Sequence, residues 1–246
     1  MTQASIDILT AKRIDLTHAI HSEIPHFHAF DPLKEKTLYT IEKDGFLAKE
    51  YTLPTAYSTH IDTPGHFSKG KRLLEKISLE ELILPLYVLH LEEEVAKNPD
   101  FGVDKATILA YEKEHGEIPS GSFVAFSSGW SEKFSDPKAY YNIDEKGIAH
   151  TPGWTVEALE FLAHERQVKA IGHETLDTDP GIIYHKTQAL DGEFYWLDQD
   201  RYQVEVLNNL RAVPTKGAVI VVAPAKVVQA PSFPARVFAL VPETVQ

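Results

Sequence analysis

The sequence predicts a single α/β domain with a mixed sheet, and three observations carry that expectation. Its 246 residues, 43% hydrophobic and 24% charged, suit one globular unit that buries well over half of its unfolded surface. Short β-branched or aromatic runs alternate with stretches of helical spacing, and an apolar strand candidate follows each helix after a few residues. No internal repeat or low-complexity linker interrupts residues 1–246, so one domain over the whole length is the simplest reading.

The strand candidates are Arg13 to Leu16, Leu47 to Leu53, Leu86 to Leu91, Ser122 to Phe126, Val168 to Ile171, Ala218 to Val222 and Arg236 to Leu240. Asp104 to His115 reads as a helix with a capping aspartate in front and Gly116 behind. Thr155 to Arg166 reads as a second helix after the Pro152-Gly153 turn, with Val156, Leu159 and Ala163 on one face. From His173 to Trp196 the chain instead carries His173, Glu174, Asp177, Asp179, His185, Asp191 and Glu193 among Pro-Gly and Asp-Gly turns. We expect a polar loop there, one that lines a site rather than packing a core.

Composition removes several classes of function. The formal charge of −12 argues against nucleic acid as a partner, because phosphates need a basic face, and against an anionic membrane surface. The absence of cysteine excludes disulfides, thiolate metal ligands and a cysteine nucleophile. Any metal must then be held by imidazole and carboxylate. Met1 to Asp7 lacks the basic start and apolar run of a signal peptide, and a cytoplasmic protein is the expectation. Phe126-Ser127-Ser128-Gly129 lacks the first glycine of a nucleophile elbow, and there is no glycine-rich phosphate loop.

The chemistry concentrates in Thr59-His60-Ile61-Asp62-Thr63-Pro64-Gly65-His66-Phe67. If Thr59 to Asp62 is extended, His60 and Asp62 point to the same side. Pro64 and Gly65 then turn the backbone and return His66 to their neighbourhood. Such a set suits zinc, manganese, iron(II) or nickel, and a carboxylate such as Asp62 can serve one ion or bridge two.

This stretch resembles the Thr-His-x-Asp-x-Pro-x-His-Phe signature of the cyclase-like metal-dependent hydrolases, a family that includes bacterial kynurenine formamidases and isatin hydrolases. The likeness continues in order along the chain. Asp15-Leu16-Thr17-His18 is similar to the family's Asp-Leu-Ser/Thr-His, and Ser128-Gly129-Trp130 to its Thr-Gly-Trp. Ile171-Gly172-His173-Glu174-Thr175 with Asp179-Pro180 resembles Ile-Gly-x-Asp-Thr and Asp-Pro, and Glu205-Val206-Leu207 resembles Glu-Asn-Leu.

The resemblance implies a swivelling β/β/α, barrel-like fold, a divalent metal ion (zinc or manganese), a small-molecule substrate and a homodimer or homotetramer. It implies His60, Asp62, His66, His185 and Glu205 as metal ligands. His185 and Glu205 would carry protons, and Gln188 would reach the attacking water. Phe27, His28 and Tyr57 would line the substrate pocket. The implied reaction is hydrolysis of a C–N bond in a small amide, formamide or lactam, with a lyase or cyclase and a non-catalytic binding relative as alternatives. One departure stands out. The signature begins with another histidine four residues before His60, and Ala56 occupies that position. We therefore expect a single tightly held ion in a partly altered shell.

Overall fold

A computed structural model describes residues 7–243. Residues 1–6, part of the stretch read above for a leader, lie outside it, as do residues 244–246. Its first six strands are β1 (Lys12–Asp15), β2 (Lys34–Tyr39), β3 (Ala48–Thr52), β4 (His60–Asp62), β5 (Ile83–His90) and β6 (Gly102–Val103). The others are β7 (Phe123–Ser127), β8 (Gly153–Trp154), β9 (Ala170–His173), β10 (Tyr202–Glu205), β11 (Ala218–Pro224) and β12 (Ser232–Val241). The α-helices are α1 (Ile41–Asp44), α2 (Glu92–Lys97), α3 (Lys105–His115), α4 (Pro137–Tyr141), α5 (Val156–Glu160), α6 (Gly181–Thr187) and α7 (Asp191–Asp198). Among the described residues no helix is long and apolar enough to cross a membrane.

The main sheet runs β1-β12-β11-β5-β7-β9-β10-β4, and β12 also pairs β4. Seven strands thus close on themselves as a barrel-like sheet, while β1 extends it beside β12. Neighbours from β5 through β10 run parallel and the other pairs antiparallel, which makes the sheet mixed as expected.

Strand side chains alternate, so the closed sheet feeds two cores. Ile61, Leu86, Phe123, Ala125, Ala170, Val204, Ile220 and Val237 meet in one. Val124, Phe126 and Ile171 meet Leu159, Leu162 and Trp196 in the other, beneath the helices. The alternation decides where the site can be. Ile61 and Val204 belong to the first core, so their neighbours His60, Asp62, Gln203 and Glu205 share the opposite face.

Helix α3 starts where its cap predicts: the Thr107 amide donates to Asp104 Oδ1 at 2.8 Å. The helix expected from Thr155 also forms, but α5 passes into a π-helical turn over Phe161–Glu165, in which the Arg166 amide reaches the Phe161 carbonyl. The polar loop expected from His173 to Trp196 is a correction. Only its first part is loop; α6 and α7 follow. The cause is a cap contributed from outside the helix. Asp179 accepts from the Gly192 and Glu193 amides at 2.8 and 3.0 Å, while Trp196 and Leu197 anchor the helix in the second core.

Candidate metal centre and active site

Strands β4 and β10 build the floor. Their register sets His60 opposite Glu205 and Asp62 opposite Gln203. Thr59 locks the pair at its base: its hydroxyl donates to the Val206 carbonyl at 2.6 Å and accepts from the His18 amide at 2.9 Å. The His60 Nδ1 lies 2.8 Å from the Ser58 carbonyl, so it serves as the donor and leaves Nε2 as the ligand atom. That Nε2 is 3.3 Å from Asp62 and 3.5 Å from Glu205.

After β4, a 3-10 turn over Pro64–His66 reverses the backbone and brings His66 Nε2 to 3.8 Å from Asp62 Oδ1. Gly65 is required there, because a Cβ would collide with the Leu73 side chain and the Arg72 carbonyl. The predicted return of His66 therefore holds. Helix α7 adds Glu193, which the sequence reading did not select as a ligand.

The ligand atoms of His60, Asp62 and Glu205 lie within 4.8 Å of one another, and so do those of Asp62, His66 and Glu193. Donors around one ion at about 2.1 Å sit roughly 3–4 Å apart, so both sets need only a small contraction. Asp62 belongs to both.

The electrostatics call for a cation. Asp62, Glu193 and Glu205 are buried together. Burial, then the charge of Asp62 on Glu193 and the charges of Glu193 and Asp62 on Glu205, pushes both carboxyls well above the usual carboxylate range. Burial works against His60 too, but Asp62 outweighs it and holds the imidazole above its ordinary value. Asp62 stays low despite burial because His60, His66 and Gln203 favour its charge. His60 Nε2 and Asp62 Oδ1 have no hydrogen-bond partner. Buried polar atoms are rarely left so, and a divalent cation would satisfy both. The donor set fits one.

Gln203 organises the carboxylates. The Thr178 hydroxyl donates to its amide oxygen at 2.8 Å. Its amide nitrogen faces Glu205, Glu193 and Asp62 at 3.0, 3.1 and 3.4 Å. His173 closes the side, its Nε2 3.3 Å from Glu205, and burial drives it down to about 3, hence neutral.

One cavity opens on this floor and a second adjoins it. An acidic chamber of about 400 Å³ is lined by His60, His66, Glu193 and Glu205 together with Ala56, Phe27, Phe30 and Phe67. An aromatic chamber of about 610 Å³ is lined by Phe27, Trp130, Tyr140, Tyr141 and Tyr184, with His26, His28 and His185. They adjoin, sharing Phe27, Leu176, Asp177 and Leu190.

His60, Asp62, His66 and Glu205 are thus brought together. His185 and Gln188 are not: α6 carries His185 and Gln188 follows its last residue, both exposed along the wall of the aromatic chamber, and neither lines the acidic one. Gln188 spends its amide on the His185 carbonyl at 2.8 Å. Beside Asp62 and His66, the third candidate donor that the structure places within reach is Glu193, not His185. Phe27 lines both chambers and His28 the aromatic one. Tyr57 does not reach either. It is 1% exposed, and its hydroxyl donates to the His21 carbonyl and accepts from the Leu33 amide, which fixes the N-terminal loop instead.

Gln203 escaped the sequence reading, and Glu193 and Asp177 entered it only as members of a site-lining loop, with no role of their own. Gln203 carried a usable signal: Tyr-Gln-Val-Glu alternates as His-Ile-Asp does, so Gln203 and Glu205 must share a face if the strand is recognised. Glu193 and Asp177 had no periodic signal, since their positions depend on the Asp179 cap and on a loop.

Comparison with known proteins agrees with this geometry. The Cyclase family, described as "Putative cyclase", matches residues 14–180. An isatin hydrolase of Roseibium aggregatum is 32% identical over 189 residues, covering 75% of this chain and 71% of the relative. The structure of isatin hydrolase A from Ralstonia solanacearum superposes with a TM-score of 0.87 at 30% identity, covering 94% of this chain and 92% of that one. An isatin hydrolase bound to the product analogue thioisatinate gives 0.89 at 27% identity, covering 95% and 93%. The family match spans more than half of the chain, the curated relative covers three quarters of it, and the protein belongs to the Cyclase family.

Proposed function

We propose that the protein is a metal-dependent hydrolase that cleaves the C–N bond of a small amide, with cyclic aromatic amides as its substrate class. The observation that carries this is the convergence of His60, Asp62, His66, Glu193 and Glu205, with unpartnered buried atoms, at the base of a chamber walled by Phe27, Phe30 and Phe67. The likeness to isatin hydrolases supports the cyclic amide in particular.

These residues hold zinc or manganese. When bound, such an ion supplies an acidified water and polarises a carbonyl. The protein does the rest. Gln203 keeps the crowded carboxylates at fixed spacing, and Phe27, Phe30 and Phe67 place the flat substrate and exclude bulk water. Glu205 is engaged by His60, His173 and Gln203, which suits a ligand better than a mobile proton carrier. The active unit is a homodimer or homotetramer. Its support is the β2–β3 hairpin, which pairs with no other strand among the described residues and exposes Leu38, Tyr39 and Tyr51.

The test is a panel of isatin, simple lactams, N-formyl arylamines and lactones, assayed with manganese and with zinc in ¹⁸O-labelled water. Ring opening of lactams with incorporation of solvent oxygen is expected. Turnover without incorporation would replace hydrolysis by a lyase or cyclase reaction. Tight binding without turnover would make the protein a binding relative.

A further inference from the structure

The segment between β9 and α6 packs three acids into six residues, Glu174, Asp177 and Asp179. Two of them have structural work. Glu174 accepts from the Ser128 and Trp130 amides and from the Ser128 and Ser131 hydroxyls. Asp179 caps α7. The Asp177 side chain has no hydrogen bond or ion pair among the described residues, although its backbone is pinned. The Thr175 hydroxyl donates to its carbonyl, and the next residue, Thr178, accepts from the Trp154 amide and orients Gln203.

Its position is as distinctive as its lack of partners. Four residues line both chambers, and Phe27, Leu176 and Leu190 are apolar. Asp177 alone among them can exchange a proton. A substrate that reaches the ligand cluster with its carbonyl and extends its aromatic portion between the chambers must pass this carboxylate.

We propose that Asp177 is the catalytic proton carrier of the hydrolysis, taking a proton from the attacking water and delivering it to the leaving nitrogen. The assignment rests on the amide-hydrolase reading above. As the water oxygen bonds to the carbonyl carbon, the Asp177 carboxylate accepts the proton released. As the C–N bond breaks, the resulting carboxyl returns that proton to nitrogen. Asp177 ends as it began, and the net change is amide plus water to carboxylic acid plus amine.

The surroundings support the role. Burial, then Asp179 and Asp62, push Asp177 up to about 6. The groups that set this value are Asp179 on its own loop and His60 and Asp62 on β4. Glu193 on α7 and Glu205 on β10 also feel its charge, and His26, His28 and His185 line the chamber beyond.

The experiment compares wild type with Asp177→Asn, both metal-loaded, on a lactam and on an aryl ester of similar shape. The ester's phenolate leaves without a proton. The expected result is a loss of about 10²–10⁴ in kcat on the lactam with KM and metal content unchanged, and a smaller loss on the ester, which needs Asp177 only for the water step. The limb of the lactam pH profile near 6 should vanish, and Asp177→Glu should restore part of the activity. An Asp177→Asn enzyme within about threefold of wild type on the lactam overturns the assignment, and so does an equal loss on both substrates. A wild type that cleaves neither overturns the hydrolase reading and this assignment with it. A wild type that cleaves both while the variant keeps pace overturns this assignment alone.

Discussion

The acidic and aromatic chambers share a wall, yet they are built by different physics. The acidic chamber draws His60, Asp62 and Glu205 from paired strands, where register fixes each Cβ. Its groups are buried, mutually polarised and unable to relax. The aromatic chamber takes His26, Phe27 and His28 from a loop, Tyr184 and His185 from a seven-residue helix and Gln188 from the residue after it, with several side chains exposed. Histidine in the first is a candidate ligand held by a backbone carbonyl; in the second it is part of an exposed wall. Rigid strands suit chemistry that needs positions fixed to a fraction of an ångström, and loops suit recognition that varies among relatives.

The sharpest way to break this contrast is Asp62. It serves both ligand triads, so Asp62→Ala should abolish stoichiometric metal and lower activity by at least about 10³-fold, or about 4 kcal/mol of barrier. Metal analysis after dialysis checks the first and steady-state rates the second. Circular dichroism should stay unchanged, because removing one of several crowded carboxylates relieves repulsion. Equal metal in variant and wild type would move the centre elsewhere.

The two chambers also differ in how far the sequence exposed them. The acidic floor was legible because it is local: His60, Asp62 and His66 lie within seven residues, and extended geometry plus one turn brings them together. Among the barrel strands β5, β7, β9, β11 and β12 were legible as apolar runs, with ends shifted by a residue or two at β7, β9 and β11 and by more at β5 and β12, whereas β10 was not among those runs. What did not show was non-local. Glu193 reaches the floor only because Asp179 nucleates α7, and Gln203 only because β10 pairs β4. His185 resembled a ligand by residue type and order, but burial and direction decide that role. Ala56 was visible as a missing histidine, and Glu193 shows that the shell draws a carboxylate from another element.

A second effect sits behind the acidic floor. His18 stacks on Phe134 with ring centroids 3.7 Å apart, and its backbone amide holds Thr59. Burial lowers it to about 4, against weaker opposing effects from Leu207 and Asp15. With a value near 6.5 when unfolded, the unfolded chain binds more protons between about pH 4 and 6.5, so stability falls as pH drops through that window. The loss should approach about 3 kcal/mol by pH 4, and His18→Gln should flatten the slope of urea-denaturation stability over the same range. An unchanged slope would mean that the ring is solvated.

Smaller again is the effect expected of Glu193→Gln. The substitution keeps the shape and the hydrogen bond with Gln203 but removes one negative charge from the triad with Asp62 and His66. Metal affinity should fall by roughly 10–100-fold at neutral pH while the fold persists. Competition with a chelator of known affinity measures it. No change would reduce the centre to His60, Asp62 and Glu205.

The smallest effect is the most discriminating. His185 and Glu193 are rivals for the same place in the shell, one favoured by residue type and the other by geometry. Because His185 is exposed on α6 and faces only the aromatic chamber, His185→Ala should leave metal content unaltered and shift KM by less than about tenfold. The change should depend on substrate, larger for those whose aromatic portion extends past Asp177 and absent for small lactams confined to the acidic chamber. A metal-free His185→Ala protein would instead require α6 to swing inward on loading. The two chambers would then be one site in two states. Metal content of this variant separates the cases, since a wall residue can alter which substrate fits but cannot release an ion it does not hold.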